Sequence, residues 1–385
     1  MKYLDPLYGQ LNFDNKQLAL FQTQALTRLR DISLSVVPPM ATPAGMITSR
    51  FEHSVGVSHL ASCLTKIIDL DHLSPNLYLA GLFHDAGSPP FSHSTELLLE
   101  DMTGKNHEEF VEHVLRDSDS TKAIKTYGGD PDIIYHLVTG NMQPWSDLIN
   151  GSIDLDNIDN SLRWGMGIGI FQNKFYEPEE VIRSFVLHND SIGINADYMA
   201  NIQKWELCRR LVYDVVYSDL NLAPGSVLFR ALEFAYRTGD LTIDFFSLNE
   251  SQALYTLENR CNAKTQKLMQ HLRRWRFYQR VGEVTQVNQA SEKMLAFCGD
   301  WQQRQKVADV VADALGIAHE DVTVYAGRDR GFKKIHLPIL HHDNQVEDHQ
   351  PIQRQTWRLH VYVDPIHTGI NDAVGEVLDC IFKDD

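Results

Sequence analysis

The sequence predicts a mainly α-helical protein with a small α+β unit at its C-terminal end. Two observations predict this. From about residue 15 to about residue 280, apolar residues recur at helical spacing. Beyond that, runs rich in β-branched and aromatic residues stand among further helical patterns. The expected organisation is a helical core over 1–285 and an α+β unit over 286–385.

Leu18, Phe21, Ala25, Leu29 and Ile32 predict one amphipathic helix within 15–35. The proline-rich run 36–43 breaks it, since prolines disfavour helix at and before their positions. Val57, Leu60, Ala61, Leu64, Ile67 and Ile68 predict a helix over 54–70, with His53 at its start. An apolar helix over 76–84 ends at Gly87 and Pro89-Pro90. Helices are expected at 92–102, 106–117, 131–140 and 154–164, then at 198–218 and 226–238. The stretch 165–170 is a loop; its Gly-x-Gly-x-Gly spacing does not fit a dinucleotide-binding turn. In the C-terminal unit, strands are expected at 322–325, 334–338 and 357–363, split by a polar loop over 341–354, with helices near 302–315 and 368–382.

The 385 residues can bury a large core, with 43% hydrophobic and 22% charged content typical of a soluble globular chain. No run of 18 apolar residues marks a membrane span, and the N-terminus lacks a signal-peptide core. Five scattered cysteines without Cys-x-x-Cys fit reduced thiols, so the expected location is cytoplasmic. A net charge of −16 disfavours a broad grip on nucleic acid. It does not exclude a small anionic substrate, because a metal ion and a few arginines can invert the local field.

His84-Asp85, in the run Ala80 to Gly87, carries the most chemistry. Upstream lies His53, in Ser49-Arg-Phe-Glu-His53; downstream lies Asp156, in Ile153-Asp-Leu-Asp156. The order His, His-Asp, Asp supplies two imidazoles and two carboxylates for one divalent ion, whether Mn, Mg, Fe, Co, Ni or Zn.

These segments resemble the HD-domain phosphohydrolase superfamily, and within it the deoxynucleotide triphosphohydrolase branch. The branch's R-F-x-H-S-x-G-V segment is matched from Arg50 to Val57. Its G-L-x-H-D-x-G-x-x-P-F-S-H segment is matched from Gly81 to His93, and its I-D-x-D segment from Ile153 to Asp156. A later stretch, Arg276 to Glu283, also looks like a family element. The resemblance implies an HD-domain helical core with its motif region at about 48–165, and the metal ligands His53, His84, Asp85 and Asp156. It also implies a nucleotide substrate, deoxynucleoside triphosphates first, split into nucleoside and triphosphate. A homo-oligomer is implied as well.

By the same resemblance Arg50 and Tyr217 bind substrate, while His107 and Glu96 form a catalytic pair. The competing role for Arg50 is an ion pair with Glu52 or another acid. His93 could support a ligand or a second ion. The basic-aromatic stretch from His271 to Arg280 could bind an effector nucleotide, close to Arg273–Arg280, or nucleic acid. Its alternative is an amphipathic helix burying Leu272, Trp275 and Tyr278.

Four positions depart from the branch. Ser88 replaces a catalytic histidine, Asn157 a phosphate-binding lysine, Asn160 a tyrosine and Asp219 a histidine. They keep two alternatives open: a nucleotidase or phosphodiesterase on mono-, cyclic or oligonucleotides, and a weakened HD protein that senses nucleotide.

Overall fold

A computed structural model describes residues 1–42, 48–333, 335–343, 345–349 and 355–383. Helices dominate to residue 273. The scaffold is built on Arg50–Ile67, which packs against Ser74–Phe83 and Leu155–Gly167. Their apolar faces meet in a core that includes Val57, Leu60, Leu82, Ile158, Leu162 and Trp205.

Two glycines permit the closest approaches. A Cβ on Gly56 would lie 2.0 Å from Asp159 Oδ2, and one on Gly87 would lie 2.2 Å from the His107 carbonyl oxygen. Glycine lets the helices close at the first point and lets the turn after His84-Asp85 reach the His107–Arg116 helix at the second.

The Arg50–Ile67 helix starts earlier than its apolar pattern implies. Ser49 and Glu52 form a reciprocal capping box, so Glu52 accepts from the Ser49 amide and does not pair with Arg50. Arg50 and His53 therefore lie one turn apart on a single helix.

The expected helix over 15–35 is two helices, Asn15–Phe21 and Gln24–Leu29. The Thr23 side chain caps the second and divides them. The helix Ser118–Tyr127 and the hairpin Lys2–Asp5 with Gly9–Asn12 were not legible from pattern. The helix expected from 226 begins at Asp219 and carries Pro224 in its interior. Leu155–Gly167 runs into the segment expected to be a loop from 165.

The C-terminal unit holds a three-stranded antiparallel sheet. Thr356–Val363 is central, between Gln279–Val287 and Val322–Arg328. Glu292–Gly299, Trp301–Leu315 and Asn371–Phe382 accompany it, and a separate apolar cluster forms there. The expected boundary at 285/286 falls inside the strand Gln279–Val287.

Pro338–Leu340 joins a different sheet. It pairs in parallel with Ser191–Asn195, which forms a hairpin with Phe185–His188, and its other edge takes Val346–Asp348. The C-terminal unit thus reaches back to the helical core. Of the expected features, Pro43, Lys334 and residues 344 and 350–354 of the polar loop lie outside the described residues.

The basic-aromatic stretch is not one helix. The helix Ala263–Arg273 ends, Trp275 takes a positive φ of 54°, and the chain enters the strand Gln279–Val287. Leu272 and Tyr278 are buried as expected, but Trp275 is exposed. Arg273 pairs with Glu258, Arg276 with Asp364 and Arg280 with Glu283. All five cysteines are free. Among the described residues no helix is long and apolar enough to cross a membrane.

Candidate metal centre and active site

His53 projects from the first turns of Arg50–Ile67. His84 closes the Ser74–Phe83 helix as its C-cap and Asp85 follows in the turn. Asp156 stands in the first turn of Leu155–Gly167, whose N-cap is Asp154. Three separate helices thus deliver four side chains to one point.

His53 Nε2 lies 2.9 Å from Asp156 Oδ1, 3.2 Å from His84 Nε2 and 3.8 Å from Asp85 Oδ2. His84 Nε2 lies 3.5 Å from Asp85 Oδ2 and 3.9 Å from Asp156 Oδ1. Ligands ~2.1 Å from one ion, at octahedral or tetrahedral angles, stand ~3.0–3.4 Å apart. The measured edges scatter about that range. Asp85 Oδ2 is buried and has no hydrogen-bond partner, a costly state unless a cation completes it. The ligand atoms of His53, His84 and Asp156 are close enough together to hold a divalent ion, and Asp85 Oδ2 stands beside the two imidazoles.

Three of these four side chains are held from behind. His53 Nδ1 lies 2.7 Å from Asp159 Oδ1. Arg163 Nε donates to the same carboxylate at 2.7 Å, the Tyr8 hydroxyl donates to it at 2.7 Å, and Arg163 reaches on to Asp5 at 3.0 Å. Asp5 and Tyr8 come from the N-terminal hairpin and its turn. His84 Nδ1 lies 2.9 Å from the Gly81 carbonyl, so its Nε2 faces the other ligands as an acceptor. Asp85 Oδ1 takes Arg50 Nη1 and the Ser88 hydroxyl, the latter at 3.1 Å.

Burial works against charge at these groups, and their partners override it. Burial alone would lower the His53 pKa; hydrogen bonds to Asp156 and Asp159 raise it to about 9. Burial would raise Asp85, but the Arg50, His84 and His53 charges hold it well below the usual carboxylate range. Asp156 is held at about 2, against burial, chiefly by His53.

Arg50 is buried, and a longer chain of contacts aims it. Its Nε donates to Ser92 Oγ at 2.8 Å, and the Ser92 hydroxyl donates to the Ser33 carbonyl at 3.0 Å. Ser33 in turn donates its amide to Glu250 at 2.7 Å and its hydroxyl to the same carboxylate. Phe91 and Ser92 take positive φ values of 62° and 53°, a strained pair that places the Ser92 hydroxyl between Arg50 and Ser33. Burial raises the Glu250 pKa to about 7 even though Ser33 opposes the shift.

Glu96 joins two imidazoles. It contacts His107 Nδ1 and lies 2.7 Å from His93 Nδ1. These two hydrogen bonds hold Glu96 well below the usual carboxylate range against burial, and Glu96 raises the His107 pKa against burial. With Nδ1 engaged, Nε2 is the nitrogen each ring offers to the cavity. The same three residues are also close enough to share an ion.

A cavity of about 920 Å³ opens over the cage. Arg50, His84, Asp85, His93, His107 and Asp156 line one side; Arg209, Tyr213, Arg328, Arg330 and Lys333 line another. Tyr217 is not among the lining residues. Its hydroxyl donates to the Arg328 carbonyl and accepts from the Arg330 amide, both at 3.0 Å. It therefore holds a backbone segment, which corrects the expected substrate contact. Tyr213, one turn earlier on Met199–Val216, is the tyrosine at the cavity. Asn160 lines the cavity as well.

Sequence reasoning missed Asp159, Arg209, Arg328, Arg330 and Lys333. Asp159 could have been found: it lies one helical turn beyond Asp156 and four residues before Arg163. The others carry no local signal.

Residues 50–164 match the family model described as HD domain. An uncharacterized protein of Methanocaldococcus jannaschii is 27% identical over 55% of this chain and 45% of its own length. A deoxynucleoside triphosphate triphosphohydrolase SAMHD1 homolog of Dictyostelium discoideum is 23% identical over 83% of this chain and 66% of its own. The chain spans about half the length of the first curated relatives it matches. A hypothetical protein from Aquifex aeolicus, of known crystal structure, superposes with a TM-score of 0.72 at 18% identity over 98% of this chain and 99% of its own, which is a likeness of fold. Through residues 50–164, then, this chain matches the HD domain, and it is similar to deoxynucleoside triphosphate triphosphohydrolases at low identity.

Proposed function

We propose that this protein is a metal-dependent nucleotide phosphohydrolase, with deoxynucleoside triphosphates as its first substrate class. The observation that carries the reading is the closeness of the His53, His84 and Asp156 ligand atoms at the cavity, with Asp85 Oδ2 beside them, buried and unsatisfied. His53, His84, Asp85 and Asp156 would hold a divalent ion. Such an ion supplies a Lewis acid for a phosphoryl oxygen and acidifies nearby water.

In this reading water attacks the α-phosphorus. The bond from phosphorus to the 5′ oxygen breaks, and nucleoside and triphosphate leave. His107, kept protonated by Glu96, donates a proton from Nε2 to the departing 5′ oxygen. Arg50 keeps Asp85 ionised and adds positive charge beside the phosphoryl group. A homo-oligomer, a cytoplasmic location and an effector nucleotide close to Arg273–Arg280 belong to the same finer reading. The exposed Trp275, stacked on Phe277, is the surface there for a base.

Ser88 and Asn157 favour a second reading, a nucleotidase or phosphodiesterase on smaller phosphate esters. Ser88 is buried and spends its hydroxyl on Asp85, so it transfers no proton to substrate. Incubation with deoxynucleoside mono-, di- and triphosphates and cyclic nucleotides, in Mn, Mg, Ni or Co, separates the readings by product. Nucleoside plus triphosphate supports the first. Nucleoside plus orthophosphate, or ring opening, supports the second. No turnover with any metal, while nucleotide still binds, supports a sensor.

A further inference from the structure

Glu250 opens the helix Glu250–Asn259, far from the metal cage in sequence, and is 3% exposed. Both donors of a single residue converge on its carboxyl group: the Ser33 amide at 2.7 Å and the Ser33 hydroxyl at 2.6 Å. Burying a carboxyl group is unfavourable unless its partners compensate. A glutamate in the first turn of a helix stabilises that helix from the surface, without desolvation. The burial of Glu250 therefore serves Ser33 rather than the helix.

The backbone on either side is fixed by other bonds. The Leu34 amide donates to the Thr48 carbonyl and the Arg50 amide to the Ile32 carbonyl, both at 2.8 Å. The segment before Glu250 is docked separately, because the Arg28 guanidinium donates to the carbonyls of Phe246, Ser247 and Leu248, each at 3.1 Å. What the Glu250 carboxyl group adds is the conformation of Ser33, held by both its donors. The Ser33 carbonyl receives the Ser92 hydroxyl at 3.0 Å. Ser92 Oγ has one proton and gives it to Ser33, so it meets Arg50 Nε through a lone pair, at 2.8 Å. Arg50 Nη1 is engaged by Asp85. The guanidinium is held at two of its three nitrogens, leaving Nη2 as the one it offers to the cavity that Arg50 lines.

We propose that Glu250 is a positioning residue of the active site: through Ser33 and Ser92 it sets the direction in which Arg50 presents its guanidinium to an oxyanion at the metal centre. A guanidinium binds a tetrahedral anion by directed N–H bonds, so a tilt of its plane weakens the contact without removing the charge. This rests on the reading of the cavity as the substrate site.

The test is calorimetric binding of inorganic sulfate, a tetrahedral anion that is not hydrolysed, to the full chain with Mn²⁺ in excess. Arg50→Ala marks the site by removing most of the wild-type affinity. Glu250→Ala weakens sulfate by ~3–30-fold, the range of a coupling carried through intervening residues. Glu250→Gln keeps the length and an acceptor for Ser33, and stays within ~3-fold of wild type. Glu250→Asp keeps an acid at the helix start but loses the reach, and falls with Glu250→Ala. A carboxyl group that served only the helix would give the opposite order, with Asp close to wild type and Gln impaired. Ser92→Ala cuts the chain of contacts, so adding Glu250→Ala to it weakens sulfate by less than ~2-fold more. Glu250→Asp and Ser92→Ala carry the test if Glu250→Ala does not fold. No sulfate bound by wild type, wild-type affinity in Glu250→Asp, or full additivity with Ser92→Ala would overturn the proposal. Absence of nucleotide turnover alongside the expected pattern leaves Glu250 the positioning residue of an anion site and overturns only the hydrolase reading.

Discussion

Asp159 Oδ1 lies 2.7 Å from Nδ1 of His53, on the side of the ring opposite the metal cage. The carboxylate fixes the tautomer: with Nδ1 protonated, Nε2 is free to bind a cation. Arg163 and the Tyr8 hydroxyl orient the same carboxylate, so the N-terminal hairpin bears on metal affinity. Asp159→Asn is expected to weaken divalent-metal binding by ~10–100-fold. Titration of the metal-free variant by calorimetry checks this; wild-type affinity would remove Asp159 from the account.

Ser88 tests the front of the same cage. Its hydroxyl donates to Asp85 Oδ1, which also takes Arg50. Ser88→Ala leaves one fewer hydrogen bond on a buried carboxylate. A loss of roughly tenfold in metal affinity is expected, the value of one hydrogen bond to a charged group. Unchanged affinity would mean that Arg50 alone holds the carboxylate.

His107 separates catalysis from metal binding. His107→Ala is expected to lower turnover by ~10²–10⁴-fold while metal content stays at the wild-type level. Single-turnover kinetics beside metal analysis distinguishes the two effects. Full turnover would move the proton-donor role to His93, which shares Glu96.

Glu250 makes folding stability depend on pH. Burial raises its pKa to about 7 in the folded protein, against ~4.3 in an unfolded chain. Between those values the folded state holds a proton that the unfolded state releases. This group's contribution is therefore most favourable below ~4.3 and is lost as pH rises through about 7. Melting temperatures of wild type and Glu250→Gln, compared at pH 5 and pH 7.5, isolate the effect. Wild type should lose more stability than the variant over that interval, and parallel shifts would show that Glu250 titrates normally.

That His53, His84, Asp85 and Asp156 come together was legible because they lie in short motifs whose chemistry is local: a His-Asp pair at a helix end, and single residues at two helix starts. What supports it was not. Glu250 acts on Arg50 through Ser33 and Ser92, four residues from distant parts of the chain joined only by folding. Arg209 meets Asn157 and the Arg330 carbonyl at the cavity, partners that no spacing rule connects. Tyr217 was misread for a related reason. Helical periodicity gives a residue's face but not what covers it, and here the Arg328 carbonyl covers it. The split helix at 15–35 shows that a threonine cap can divide an unbroken apolar pattern.

The central claim is that His53, His84, Asp85 and Asp156 hold one divalent ion on which nucleotide hydrolysis depends. The most direct measurement is metal content by elemental analysis after dialysis against Mn²⁺, paired with nucleotide turnover, for wild type and Asp85→Ala. The account predicts one ion per chain and turnover in wild type, and neither in the variant, with melting still cooperative. A variant that keeps its metal, or that hydrolyses nucleotide without it, would contradict the claim.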